Sequence, residues 1–136
     1  MKTMIAALVA LPVLATAAMA GDAAKGEGDF KKCKACHMIQ AADGTDIVKG
    51  GKTGPNLFGV IGRGMGTYDG FKYGDGLSAA AEQGLVWDEE NLAAYITDPN
   101  GFLKETLDDP KAKSKMTYKH KKGAEDMAAY LASLNG

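Results

Sequence analysis

The chain is poor in sulfur nucleophiles and imidazoles: its 136 residues hold two cysteines and two histidines. Cys33, Cys36 and His37 sit together, and only His120 stands apart, so thiol and ligand chemistry is confined to one short segment. Net charge is also missing. The formal balance is −1 at pH 7, which names no partner and gives no footing to nucleic-acid binding. No internal repeat, low-complexity tract or linker interrupts residues 21–136, so they read as one domain. No alternation of strand with helix is legible, which removes the βαβ setting of a thioredoxin-like Cys-x-x-Cys pair. The longest apolar run, residues 5–14, is shorter than the ~20 residues a membrane-spanning helix needs.

That short run has another reading. Lys2 precedes it, Pro12 alone interrupts it, and Ala18-Met19-Ala20 follows as a small-residue cleavage site. Residues 1–20 are therefore expected to be a secretory signal peptide cleaved after Ala20. The expected destination is a bacterial periplasm. That compartment oxidises free thiols, so Cys33 and Cys36 need a covalent fate.

Cys33-Lys34-Ala35-Cys36-His37 supplies one, because Cys-x-x-Cys-His is the attachment site of a c-type haem. Two cysteines three apart share one side of a helical turn, so both thiols can reach the two vinyl groups of one porphyrin. His37 is then held under the ring, where an imidazole nitrogen can bind iron. Tetrahedral zinc is the rival, since Cys33, Cys36, His37 and His120 could supply four ligands. It leaves the export signal and the distant methionine without a purpose.

The remaining pattern is helical. Asp22 caps a first helix expected to run to about Cys33, with Gly26 one turn before Phe30 on the buried side. Residues 43–66 are rich in glycine and read as loop rather than strands. A short helix near 77–83 ends at Gly84, and Asp88 caps a clearer one at 89–97 that Pro99 stops. A last helix at about 124–134 places Met127, Tyr130, Leu131 and Leu134 on one face. The expected fold class is all-α, with about four or five helices and long loops around one haem.

Charge is unevenly spread. Lys31, Lys32 and Lys34 surround the cysteines, and Lys111, Lys113, Lys115, Lys119, Lys121 and Lys122 form a second basic stretch without an acid. Both flank candidate iron ligands, so a basic ring is expected to steer the protein to acidic docking faces. The acidic stretch at 69–109 reads as solvated surface.

The sixth iron ligand decides the chemistry. Met38 adjoins His37 and cannot reach the other ring face; Met127 has a core spacing; Met65 lies in a glycine-rich loop. Met116 stands in a basic loop far from His37 and is the favoured ligand. His120 is its competitor, because a second imidazole would fill the site and lower the potential. Its plainer reading is an exposed loop residue among lysines.

The ordered motifs make the chain similar to the class I cytochromes c, and it closely resembles the soluble cytochrome c2 type of purple and denitrifying bacteria. They include Gly-Asp-Ala-Ala-Lys-Gly-Glu at 21–27, Cys-Lys-Ala-Cys-His at 33–37, Lys-Thr-Gly-Pro-Asn-Leu at 52–57 and Gly-Phe-Lys-Tyr at 70–73. Lys-Ser-Lys-Met-Thr at 113–117 and Ala-Ala-Tyr-Leu at 128–131 complete the series. The resemblance implies covalent thioethers at Cys33 and Cys36, and His37 and Met116 as axial ligands. It implies that the Pro55 carbonyl takes the free N–H of His37. Arg63, Tyr73 and Trp87 match positions around the haem propionates, Ser114 matches a propionate donor that is usually threonine, and Tyr95 would lie near the Met116 sulfur. Gly26 and Phe30 match the crossing of first and last helices, against Met127 and Tyr130.

The function so implied is one-electron transfer by a monomeric periplasmic carrier, with no catalysis at iron. The cytochrome bc1 complex is the expected donor. A photosynthetic reaction centre, a terminal oxidase or a reductase is the expected acceptor, docking at Lys31, Lys32, Lys34, Lys113, Lys115 and Lys119. The alternatives are a haem enzyme or gas sensor with an open sixth site, and an electron-transfer subunit of a larger oxidoreductase.

Overall fold

The computed structural model describes residues 21–134. The expected leader at 1–20 and the final Asn135-Gly136 lie outside the described residues. Helix α1 (Ala23–Asp29) begins where the Asp22 carboxylate accepts the N–H groups of Ala24 and Lys25 at 3.0 and 3.3 Å. Such a cap contributes ~1 kcal/mol. The helix tightens into a 3-10 turn at Phe30–Lys32, so regular α-helix stops before the expected end near Cys33. One more turn follows: the N–H groups of Cys36 and His37 both donate to the Cys33 carbonyl, at 3.1 and 2.9 Å.

The strand-free reading of residues 43–66 needs correction at its start. Strands β1 (Ile39–Gln40) and β2 (Asp46–Val48) pair antiparallel, with Ile39 opposite Val48. Asp43 makes the turn, its carboxylate accepting the Thr45 N–H at 2.9 Å while Gly44 takes φ +89°. Helix α2 (Asp75–Glu82) ends before Gly84 at φ +69°, as expected of a left-handed cap. Helix α3 (Glu89–Thr97) matches the expected bounds, and Asp88 and Asn91 cap it reciprocally.

Helix α4 (Pro99–Thr106) overturns the reading of Pro99 as a plain stop. Asp98 ends α3 and then caps α4 by accepting the Gly101 N–H at 3.2 Å. Proline suits the first helical position because the N–H it lacks would be unpaired there. Helix α5 (Ala124–Ser133) completes five helices among the described residues. None of them is long and apolar enough to cross a membrane.

Helices α1 and α5 cross as expected. Phe30 meets Tyr130 edge-on with ring centroids 5.9 Å apart, and Met127 is buried in the same cluster. A methyl on Gly26 would collide with the Asp126 backbone and the Tyr130 side chain, so glycine is what lets the helices approach. Trp87, Tyr95 and Phe102 form an aromatic wedge, with centroids 5.1 to 6.0 Å apart. The long segments 49–74 and 107–123 contain neither helix nor strand, and both contribute walls to one cavity.

Candidate haem-binding site

That cavity has a volume of about 690 Å3 and a mostly apolar lining, within the ~300–1,000 Å3 typical of cofactor pockets. Every haem-surrounding residue expected from the sequence lines it. Cys33, Cys36 and His37 come from the turn after α1, and Pro55, Arg63 and Tyr73 from the long loop. Trp87 enters from the segment just before α3, Tyr95 from α3 itself, and Ser114 and Met116 from the loop before α5.

His37 is oriented from two sides. Its Nδ1 donates to the Pro55 carbonyl at 2.8 Å, which leaves Nε2 as the free ligand atom. Gly54 backs the ring so closely that a Cβ there would stand 2.6 Å from Nδ1 and 2.8 Å from Nε2. In the sequence Gly54 belongs to a glycine-rich stretch that reads simply as loop; the close approach was not legible. Burial lowers the proton affinity of His37, partly opposed by the Pro55 hydrogen bond, and so keeps the imidazole neutral, the form that binds metal.

Burial, then the charge of Asp29, pushes the Cys33 thiol up to about 11. Among the described residues no group of three or more His, Cys, Asp or Glu side chains converges to hold a metal ion. Cys36 is exposed at the cavity edge.

Met116 is held through its backbone. Its N–H donates to Ser114 Oγ at 3.1 Å, and that oxygen lies 2.6 Å from the Tyr95 hydroxyl. The Ser114 N–H donates to Asn100 Oδ1 at 2.7 Å, so α3 and α4 both pin the loop. Asn100 was missed because α4 was not anticipated. Burial raises the Tyr95 phenol, opposed by its Ser114 hydrogen bond, and the hydroxyl remains a hydroxyl at neutral pH. Among the other methionines, Met127 reaches the cavity from the core face of α5, while Met65 is fully buried and Met38 half-buried, both away from the lining.

Arg63 is a half-buried cation in the cavity wall. Its guanidinium donates to the Asn56 and Phe58 carbonyls at 2.9 and 2.6 Å and lies 4.8 Å from the Tyr68 ring centroid. Burial lowers its pKa, and the ion pairs found among the described residues, Lys32–Asp29 and Lys119–Asp98, do not include it. A half-buried guanidinium without a carboxylate partner suits an anionic group on the cavity's ligand. Tyr73, beside it, accepts the Tyr68 N–H at 3.1 Å.

His120 departs from expectation. It is 3% exposed, not a surface residue among lysines, and it lines the cavity. Its backbone N–H donates to the Ile96 carbonyl at 2.7 Å, drawing the chain against α3 while Lys119 and Lys121 stay outside. Of the basic residues, Lys32, Lys113 and Lys115 border the cavity; Lys31, Lys34 and Lys119 are exposed but lie off its lining. Lys119 is 3.6 Å from Asp98. Lys72, not singled out in the sequence, also borders the cavity, and its carbonyl accepts Lys115 Nζ at 3.3 Å.

The pair of cysteines on one turn, a neutral imidazole, an apolar interior and an unpaired guanidinium fit a covalently bound haem. Comparison with known proteins agrees. No protein-family model matches the chain. It is 61% identical over 129 residues to the cytochrome c2 of Rhodobacter capsulatus, covering 95% of this chain and 94% of that one. It is 55% identical over 132 residues to the cytochrome c-550 of Paracoccus denitrificans, covering 96% and 83%. The solved structure of the Rhodobacter capsulatus cytochrome c2 superimposes with a TM-score of 0.82 at 62% identity, over 83% of this chain and 97% of that one.

Proposed function

The chain belongs to the cytochrome c2 family of class I cytochromes c, electron-transfer proteins with one covalent haem c, and from that premise we propose its mechanism and partners. The protein is a monomeric carrier working in the periplasm after cleavage behind Ala20. It receives one electron at a time from a cytochrome bc1 complex and passes it to a photosynthetic reaction centre, an oxidase or a reductase.

When bound, haem c supplies the ferric–ferrous couple. The residues of this chain do the rest. Cys33 and Cys36 hold the group through thioethers. His37 presents Nε2 to iron because Pro55 occupies Nδ1. Met116 would offer its thioether to iron from a loop whose backbone N–H the Ser114 hydroxyl accepts, with the Tyr95 hydroxyl bonded to Ser114 in turn. With His37 and Met116 both given to iron, the group would keep no open position for substrate, and a thioether ligand would favour the ferrous state and a high potential. Arg63 and Tyr73 offer donors to the propionates. Lys32, Lys113 and Lys115 at the cavity edge, with Lys31, Lys34 and Lys119 beyond, steer acidic partners to the exposed haem edge.

One observation carries this reading: His37 and Met116, from distant parts of the chain, reach the same cavity as the cysteine pair. An optical spectrum of both oxidation states, with and without carbon monoxide, tests it. The expected result is a reversible one-electron couple that ignores carbon monoxide at neutral pH. Haem should also survive acid denaturation and organic extraction. Rapid carbon monoxide binding by the ferrous protein would replace the carrier with an open-site haem protein.

A further inference from the structure

The corner between α3 and α4 grips the Met116 loop on both sides of the ligand. Asn100 Oδ1 accepts the Ser114 N–H at 2.7 Å, and Asp98 Oδ1 lies 3.6 Å from Lys119 Nζ. Ser114 Oγ in turn accepts the Met116 N–H at 3.1 Å. The Asn100 amide therefore stands two hydrogen bonds from the backbone of Met116.

The same corner carries a chemical weakness. Residues 98–101 read Asp-Pro-Asn-Gly, whereas Asn56 and Asn91 each precede leucine. Packing imposes glycine at 101, because a Cβ there would collide with the Asp98 carboxylate. Exposed Asn100 is thus followed by an amide that no side chain shields. Asparagine is thermolabile, and an unshielded amide on its C-terminal side is the group that attacks it. The Gly101 N–H lies in the first turn of α4, where the helix offers it no acceptor. It donates instead to Asp98 Oδ1 at 3.2 Å.

We propose that Asn100 is a deamidation site, and that its conversion to isoaspartate releases the Met116 loop. In the first step the Gly101 nitrogen gives its proton to solvent base and attacks Asn100 Cγ. The N–Cγ bond forms, the Cγ–Nδ2 bond breaks, and Nδ2 leaves as ammonia after taking a proton from water. Water then opens the succinimide at either carbonyl, giving aspartate or isoaspartate with no change of oxidation state. Aspartate keeps an oxygen facing Ser114 and places its charge at a helix N-terminus, where it is favoured. Isoaspartate runs the main chain through Cβ and Cγ, so the Ser114 N–H loses its acceptor. The closed first turn holds the attacking nitrogen in its bond to Asp98. The reaction therefore waits on local opening, and Asp98 governs its rate. The effect on iron rests on the carrier reading; the modification does not.

The test incubates the haem-loaded protein in warm, mildly alkaline buffer, with Asp98→Ala and Asp98→Asn beside the native chain. Peptide mapping by mass spectrometry follows the amide-to-acid change at residue 100, apart from the second Asn-Gly pair at 135–136. Methylation by an isoaspartate methyltransferase identifies the isoaspartate. The native chain should be modified at Asn100 and not at Asn56 or Asn91. Loss of a cap of ordinary strength should make Asp98→Ala react ~5-fold faster, while Asp98→Asn, which still caps, should keep the native rate. The isoaspartate fraction, separated by ion exchange, should exchange its Ser114 and Met116 amide hydrogens faster. Added imidazole should also displace Met116 from its ferric iron faster. Asn100→Asp carries the charge without the rerouted backbone and should stay near native in both. An unmodified Asn100, equal rates in Asp98→Ala and the native chain, or native amide exchange in the isoaspartate fraction would overturn the proposal. If Asp98→Ala does not fold, the mass map and amide exchange of the native protein decide. Faster amide exchange without any displaceable methionine would instead sink the coordination reading, so the two failures are distinct.

Discussion

Tyr95 and Ser114 are joined hydroxyl to hydroxyl at 2.6 Å, and through Ser114 the phenol of α3 holds the backbone of Met116. Tyr95→Phe deletes one partner and leaves the Ser114 hydroxyl a bond short. The expected loss of stability is ~0.5–1.5 kcal/mol, that of a typical hydrogen bond. It should come with easier displacement of Met116 from iron as pH rises. Denaturant unfolding and a pH titration of the far-red sulfur-to-iron band measure the two effects. A variant with the native titration would disconnect Tyr95 from the ligand loop.

What could be read from the sequence was whatever local chemistry dictates. The Asp22 and Asp88 caps, the Gly84 stop and the apolar face of α5 each announce themselves within one or two turns. The site residues were legible because Cys33, Cys36 and His37 form one local motif, and family resemblance carried the rest. Helix α4 was hidden because Pro99 is both a stop for α3 and a start for α4, and only the Asp98 bond to Gly101 separates the roles. His120 was misread because its lysine neighbours look solvated. Its burial comes from a non-local bond to Ile96 that no spacing rule foretells. Gly54 was undervalued for the same reason, since its neighbour is the ring of a residue far back in the chain.

The Gly26 contact makes a sharp stability prediction. Gly26→Ala ordinarily favours a helix by ~1 kcal/mol, yet here the methyl meets the Asp126 backbone of α5. Overpacking costs ~1–3 kcal/mol or more, so the net change should be destabilising. Thermal unfolding should show a lower midpoint for Gly26→Ala and little loss for Ala substituted at Gly28, which has open space around it. Equal midpoints would mean that α1 and α5 are less tightly apposed.

Gly54→Ala should act on the ligand instead. The added methyl presses on the His37 ring and on the geometry that Pro55 sets at 2.8 Å. A shifted potential and altered hyperfine-shifted His37 resonances are expected, with haem still covalently attached. Native resonances in the variant would show that the loop yields without moving the ring.

The lysine ring predicts salt-sensitive kinetics. Steering charges reach only ~10 Å at 0.1 M salt, so oxidation by an acidic membrane partner should slow as ionic strength rises. Lys113→Glu or Lys115→Glu, at the cavity edge, should slow it more than Lys25→Glu on α1. Stopped-flow rates at sub-saturating partner, measured across a salt series, give the comparison. Rates indifferent to salt would remove docking from the function of these lysines.

The sixth ligand bears most directly on the carrier mechanism. Met116 and Met127 both reach the cavity, but they are built differently. Met127 is fully buried on α5 within the α1–α5 crossing, where leucine of similar volume should cost less than ~1.5 kcal/mol. Met116 is half-buried on a loop held by Ser114, free of helical constraint. Met116→Ala should therefore abolish the far-red band, lower the potential and open ferrous iron to carbon monoxide. Met127→Leu should leave all three near native and alter stability alone. Because His120 lines the same cavity, Met116→Ala also asks whether an imidazole can take the vacated position. A low-spin spectrum in Met116→Ala that disappears in Met116→Ala with His120→Gln would show that it can. If Met116→Ala retains the native band, the thioether comes from another methionine, and the coordination proposed for this carrier is wrong.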